Sequence, residues 1–361
     1  MGRITILRDL IRIIRDKASQ SKAALVSDPR TMSLHLALLR ATTHDPDTPP
    51  DPRHLADLLS VGHSSRATAS TVIEALMDRL QTTRDASVAI KCLITVHHII
   101  KRGSFILQDQ LSVYPSTGGK NYLKLSNFRD NTTSLTWELS SWVRWYALYL
   151  ENLLSTSRVL GYFLCSTSSS VDIDKEEGKV SSLINSELLK EINSLVNLLE
   201  HSSKRADSLH ANGNILVDEV IRLVGEDYLS SINEVSVRVS ELRERLSCLS
   251  LVDSVELVCA LKRLEDCKER LLELCERKKE LIETVWGSIR EIRDQVGNVK
   301  VYTEERRLLT MGSRNKGSES ARFGERVLKH GGSVKFSSGR LLSLNNFSFV
   351  SNESVESLID A

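Results

Sequence analysis

Proline is scarce: 6 in 361 residues, at positions 29, 46, 49, 50, 52 and 115, with none beyond. Proline breaks helix interiors and removes a backbone donor, so everything after Pro115 is open to long helices, and a proline-rich tail is excluded. Long hydrophobic runs are also missing. No stretch approaches the roughly 20 apolar residues that cross a bilayer, and charges are scattered through the N-terminus where a secretory signal would keep a clean apolar segment. A protein of this kind stays soluble or meets a membrane peripherally. The 6 cysteines, at 92, 165, 248, 259, 267 and 275, form no C-x-x-C pair, which favours a reducing setting over a disulfide scaffold. A charge of one sign is absent too: 48 basic against 47 acidic residues give +1, so the chain is no general binder of nucleic acid or other polyanions. The ends nevertheless lean positive, with seven basic and three acidic residues in 1–30 and seven basic and two acidic in 311–340.

What is present is helical patterning. Hydrophobic residues make up 41% and charged ones 26%, enough for a large core and unlike a disordered chain. Ile4, Ile6, Leu7, Leu10, Ile11, Ile13 and Ile14 alternate with Arg3, Arg8, Arg12, Arg15 and Lys17 in an amphipathic pattern. The plain reading is a first helix of the domain with its cations facing water; the other is a helix in contact with lipid. Asp28-Pro29 signals a helix start before residues 31–43, and DPDTPPDPRH at 45–54 is a rigid loop. Short helices follow around 55–61 and 72–80, and the apolar run 87–101 predicts a buried central helix ending at Gly103. Trp137, Trp142, Trp145, Tyr146 and Tyr149 mark a packing seam in a chain with only 5% aromatics. The Ser, Thr, Asp, Glu and Gly of 166–181 read as a mobile connection; from 182 onward apolar residues through Leu199 recur at helical intervals, and further helices are predicted over 211–229, 231–247, 251–276 and 278–296. Leu257, Leu261, Leu264, Leu271, Leu274 and Leu281 break heptad spacing, which favours a packed bundle over a dimeric coiled coil. Beyond residue 310, glycines among serines and cations describe a flexible tail.

Candidate chemistry is sparse. His97 and His98 are adjacent on a helix, where successive side chains diverge by about 100°, so they do not share a metal, and a structural or hydrogen-bonding role is the better reading. Gly118-Gly119-Lys120 lacks the glycine spacing and following hydroxyl of a phosphate loop. No catalytic, cofactor or metal set is found. Arg40, Arg53 and His54 flank the proline-stiffened loop, where cationic donors can surround phosphate oxygens; the same pattern suits ordinary surface and capping groups.

Four segments then occur in order: RATTHD at 40–45, DPRH at 51–54, KCLITVHHIIKRG at 91–103 and VRWYALYLENLL at 143–154. Together they resemble the ANTH domain of monomeric clathrin-assembly proteins, over roughly residues 20–300, and plant members most. The resemblance implies an all-α, ENTH/ANTH-like helical solenoid extended by a C-terminal helical bundle. Its parts are an N-terminal amphipathic segment (1–19), an ENTH-like half (20–165), a flexible loop (166–181), longer helices (182–300) and a short basic tail (301–361). It implies a non-enzymatic, cofactor-free adaptor that binds phosphatidylinositol 4,5-bisphosphate through Arg40, Arg53 and His54 and acts with clathrin in endocytosis and vesicle budding. The implied places are the cytoplasmic face of membranes, clathrin-coated pits and vesicles, and the Golgi apparatus. Two departures stand out: Asp51 where the family pattern often carries Lys, and a short tail whose Leu358-Ile359-Asp360-Ala361 only begins like a clathrin-box peptide. They leave open an alternative, a helical scaffold for cargo or SNARE proteins with weakened phosphoinositide affinity.

Overall fold

The computed structural model describes residues 2–27, 31–63, 65–114, 121–164, 166, 173–205, 213–272, 283 and 285–296. The chain divides into two units, 1–309 and 310–361, and every described residue lies in the first. Asp28-Pro29, Gly118-Gly119-Lys120, Leu274, Leu281 and the tail 301–361 lie outside the described residues.

All described regular elements are helical. They begin with α1 (Gly2–Val26), α2 (Met32–Ala41), α3 (Pro52–Leu59), α4 (Arg66–Thr82), α5 (Ala86–Arg102), α6 (Phe105–Ser112) and α7 (Ser134–Leu160). After these come α8 (Ile173–Ser182), α9 (Asn185–Ser203), α10 (Ile215–Glu244), α11 (Leu251–Asp266) and α12 (Lys268–Leu272). Helices pack chiefly on their chain neighbours, α1 on α2, α2 on α3, α4 on α5 and α6, α7 on α5 and α9, and α9 on α10 and α11. The result is an all-α, solenoid-like arrangement.

The centre is α5. Its N-cap Asp85 accepts from the amides of Ser87 (2.9 Å) and Val88 (3.2 Å), and every residue from Ala86 to Lys101 is buried. The helix stops at Gly103, where a Cβ would sit 2.4 Å from the Ile99 carbonyl oxygen. A helix buried on all sides buries its polar residues as well, and each then needs a partner. His97 Nδ1 meets the Tyr146 hydroxyl at 2.7 Å, and its Nε2 meets Asp227 Oδ2 at 2.6 Å. Tyr149 donates to the same Asp227 oxygen (2.9 Å), while Lys101 donates to Asp227 Oδ1 (3.0 Å) and Glu226 (2.8 Å). His98 lies 3.7 Å from Glu219. The histidine pair is thus structural, tying α5 to α7 and α10, and no cluster of metal-ligand type occurs among the described residues. Of the aromatic seam, Trp142, Trp145, Tyr146 and Tyr149 are buried, but Trp137 is 52% exposed and falls outside it.

Three expected elements change, the first being the helix read over 251–276, which breaks at Cys267 into α11 and α12. The stretch read as a mobile connection contains α8, which is anchored by buried Val180 and by Arg245, whose guanidinium donates to the carbonyls of Ser181 and Leu183 (both 2.6 Å). The two helices expected at 211–229 and 231–247 are one, α10, because Ser231 folds its hydroxyl back onto the Asp227 carbonyl (2.7 Å) and leaves the helix unbroken. Toward the C-terminal end of α10, buried Arg238 reaches Glu191 of α9 (2.6 Å) and Glu234. Among the cysteines, Cys92 and Cys267 are buried free thiols and Cys248 and Cys259 exposed ones; burial pushes the Cys92 thiol up to about 12.

Asp227 is the keystone of the α5–α7–α10 contact. Burial raises its pKa, but His97 and Lys101 outweigh that and hold it at about 2. Asp227→Ala removes the buried acceptor shared by His97 and Tyr149 and leaves Lys101 only Glu226 of its two carboxylates, so it should cost about 3–5 kcal/mol in chemical denaturation. Because the folded pKa is depressed, this group stabilises the fold above the unfolded value and loses that contribution as pH falls from about 4 to about 2. Asp227→Asn should lack that segment of the pH dependence.

Candidate functional site

Arg40 stands exposed in the last turn of α2, and exposed Arg53 and half-buried His54 lie in the first turn of α3. The loop between them is held by three other helices and by the residue that caps a fourth. Thr42, at the end of α2, gives its hydroxyl to Leu38 O (2.7 Å) and receives Arg79 of α4 on both its hydroxyl and carbonyl oxygens (2.6 Å each). A guanidinium from another helix therefore satisfies an otherwise orphaned C-terminal group of α2. Thr43 accepts from Lys91 Nζ of α5 at 2.8 Å, with Thr48 at 3.5 Å. His44 places its amide (3.1 Å) and Nδ1 (2.6 Å) on Asp16 of α1. Asp45 closes a local turn by accepting from the Asp47 amide (3.0 Å) and Thr48 hydroxyl (2.9 Å), and Asn214 before α10 reaches Pro46 O (3.4 Å).

The cations at the loop's ends stay uncommitted. Arg53 uses only its backbone amide, and among the described residues the guanidiniums of Arg40 and Arg53 have no ion-pair or hydrogen-bond partner. His54 Nδ1 lies 3.7 Å from Asp57. Helix α2 packs on α3, with Arg40 in the last turn of one and Arg53 and His54 in the first turn of the other. Asp51 is the N-cap of α3: its Oδ1 accepts from the Arg53 amide at 2.8 Å, with Pro52 as the first helical residue. The negative charge at this place is thus committed to the helix end. Lys101, at the far end of α5, is buried on its carboxylate partners and belongs to the core.

The orientation of α1 reverses the plain reading. Its half-buried positions are Arg8, Arg12, Asp16, Ser19 and Ala23, the polar side, fixed to the body through Asp16 and His44. Leu7, Leu10, Ile11 and Ile14 share the opposite stripe at 100° per residue and are between 41% and 58% exposed. Sequence periodicity found the amphipathic helix, but a hydrophobic stripe alone does not say which side packs. What sequence reading missed at the site is Arg79 and Lys91, although a lysine inside an apolar run such as KCLITVHHII is itself a signal that a polar partner sits nearby.

The ANTH domain family model matches residues 33–281. The Arabidopsis thaliana protein named "Putative clathrin assembly protein At4g40080" is 56% identical over 357 residues, covering 97% of this chain and 98% of the relative. Two further Arabidopsis thaliana proteins carry the same designation. At5g65370 is 34% identical over 81% of this chain and 100% of its own length, and At5g10410 is 36% identical over 77% and 82%.

Lys91 offers a test of the pinned loop. Burial lowers its pKa from 10.5 to about 8, against the pull of Asp45 and Asp16. Between those values the unfolded chain holds a proton that the folded chain has released, so stability rises with pH across that window. Denaturant titrations should show wild type gaining stability from pH 8 to 10.5 relative to Lys91→Met, in which this slope is absent. Equal slopes would mean that the amine is solvated and does not pin the loop.

Proposed function

The chain belongs to the ANTH domain family, and from that membership we propose that it is a clathrin-assembly adaptor recruited to membranes rich in phosphatidylinositol 4,5-bisphosphate. The family is one of non-enzymatic adaptors. Arg40, Arg53 and His54 are the proposed headgroup contacts. The observation that carries this reading is the pair of exposed, partnerless guanidiniums at the joint of α2 and α3, on a loop whose own polar groups are tied to α1, α4 and α5. Such donors are held in place before the phosphates arrive, which limits the ordering cost of binding. The outward apolar stripe of α1 supports the same reading, because a helix with cations beside an exposed apolar face fits the interface of an anionic bilayer. No helix among the described residues is long and apolar enough to cross a membrane.

In this reading the protein sits on the cytoplasmic face at clathrin-coated pits and vesicles and at the Golgi apparatus, and α9 to α12 form the bundle that extends the solenoid. Its contact with clathrin rests on the names of its relatives; Leu358 to Ala361 lie outside the described residues. The second reading, a cargo or SNARE scaffold with weakened lipid affinity, is favoured by the carboxylate of Asp51 beside the proposed phosphate donors.

Co-sedimentation with phosphatidylinositol 4,5-bisphosphate vesicles tests the proposal. Arg40→Ala/Arg53→Ala/His54→Ala should lower binding at least tenfold, on the scale of lost charge-assisted hydrogen bonds, and wild-type binding should weaken as salt rises. Recruitment that ignores both changes overturns the headgroup assignment, and cargo capture independent of phosphoinositide would favour the scaffold. Asp51→Ser keeps a capping oxygen while removing the charge, so it should leave thermal stability nearly unchanged and tighten vesicle binding several-fold.

A further inference from the structure

Helix α7 has a face turned away from the aromatic seam. Trp137, Ser141, Arg144 and Leu148 recur along it at intervals of three or four and so share one stripe. Trp137 is 52% exposed and Leu148 44%, and the indole Nε1 of Trp137 has no hydrogen bond among the described residues. Trp142 and Trp145 of the same helix are buried, so Trp137 leaves in water a large apolar surface that its neighbours commit to the core. The stripe ends at half-buried Glu151, whose carboxylate accepts from Asn121 Nδ2 at 2.8 Å.

The loop before the helix adds a second cation. Arg144 donates through Nη1 to the Phe128 carbonyl (2.9 Å) and through Nη2 to the Ser141 hydroxyl (2.7 Å). Exposed Arg129 donates through its own Nη1 to the same Phe128 carbonyl (2.7 Å). One backbone oxygen thus holds two guanidiniums side by side, and among the described residues neither has a carboxylate partner. Burial and the charge of Arg129 together lower the Arg144 pKa. The carbonyl carries only a partial charge and leaves the pair uncompensated, and the Nε of both arginines and Nη2 of Arg129 make no hydrogen bond among the described residues. A carboxylate seated over the pair would accept from both and relieve their repulsion.

The apolar groups select the kind of ligand. With a rise of about 1.5 Å per residue, Trp137 stands roughly 10 Å before Arg144 along the helix and Leu148 roughly 6 Å after it. A lipid carries its apolar part on one side of its charged headgroup only, and a nucleic acid would need a longer track of cations than two. A peptide has a carboxylate with apolar side chains on either side of it, and tryptophan and arginine are the residues most enriched where such contacts carry binding energy. We propose that this stripe of α7 docks an acidic peptide segment of a partner protein, with a carboxylate held between Arg129 and Arg144 and flanking apolar side chains covering Trp137 and Leu148. The surface contains none of Arg40, Arg53 and His54.

An array of synthetic peptides tests the surface on the full chain. Each peptide carries a Glu-Glu pair between two leucines at varied spacing and has a twin with Gln-Gln in its place; affinities are then read by fluorescence polarisation. Wild type should prefer glutamate peptides to their twins, with binding that weakens as salt rises. Arg129→Gln/Arg144→Gln removes both charges while retaining amide donors, and should lower affinity at least tenfold. Because Arg144 also holds the loop, Leu148→Glu serves as a second variant: it changes one exposed side chain, should keep the wild-type melting temperature, and should abolish binding by setting a like charge beside the bound carboxylate. Both variants should reach phosphatidylinositol 4,5-bisphosphate vesicles as wild type does. An array without a glutamate preference, or peptide binding that survives both variants, overturns the proposal. Vesicle recruitment lost in Leu148→Glu without any peptide binding in wild type would assign the face to a membrane and overturn the peptide reading.

Discussion

The complete burial of α5 is the constraint from which the rest of the arrangement follows. Sixteen consecutive residues from Ala86 to Lys101 are out of water, and a sequence that places Lys91, Thr95, His97, His98 and Lys101 among them obliges other elements to bring partners to each. Thr95 solves its problem locally by donating to the Lys91 carbonyl at 2.8 Å. The others cannot. Lys91 draws the loop 43–48 over the N-terminal half of the helix, and His97 with Lys101 draws Asp227, Tyr146 and Tyr149 onto the C-terminal half. One helix therefore positions both the candidate site and the long C-terminal helices, through hydrogen bonds at its two ends and close packing between them.

The same economy of partners shapes the site loop. Arg79, Lys91 and Asp16 each come from a different helix, and each fixes one successive residue, Thr42, Thr43 and His44. Three consecutive residues tied to three helices leave little freedom at the end of α2, so Arg40 is carried on a rigid turn. The Asp16–His44 contact also decides how α1 lies: it draws the polar side of the helix to the body and turns Leu7, Leu10, Ile11 and Ile14 outward. Leaving four large apolar side chains exposed to water opposes the usual direction of burial, which is why the stripe reads as a surface meant to be covered.

Much of the fold was legible in the sequence, and the gaps have physical causes. The buried helix at 87–101 and the aromatic helix after it were marked by dense apolar and aromatic residues at helical spacing, and the stop of the first by Gly103. Arg40, Arg53 and His54 could be picked out as candidates because they lie close together along the chain. Arg79 could not, since it reaches Thr42 only once α2 and α4 have packed. The region of α8 misled by composition: its serines, glycine and charges suit a loop, while the contacts of Val180 and of Arg245 with the carbonyls beyond it are tertiary. The orientation of α1 was invisible for a similar reason, because periodicity defines a face without saying what lies against it.

The near-zero net charge conceals a division in how the cations are used. In the C-terminal helices, Arg222, Arg238, Arg245 and Arg263 all sit on carboxylates of their own or a neighbouring helix. A guanidinium so paired has exchanged water for protein oxygens, and an incoming phosphate would have to displace a carboxylate before gaining anything. Arg15, Arg40, Arg53 and Arg84, all within the first five helices and the turns between them, face no such competitor. Each is solvated by water alone, so a phosphate oxygen replaces water and adds charge. The fold sustains these exposed cations at little cost, because hydration already satisfies them and none is needed to hold a helix in place. A total of +1 thus says little about anion affinity, because it counts carboxylate-paired and water-solvated cations alike.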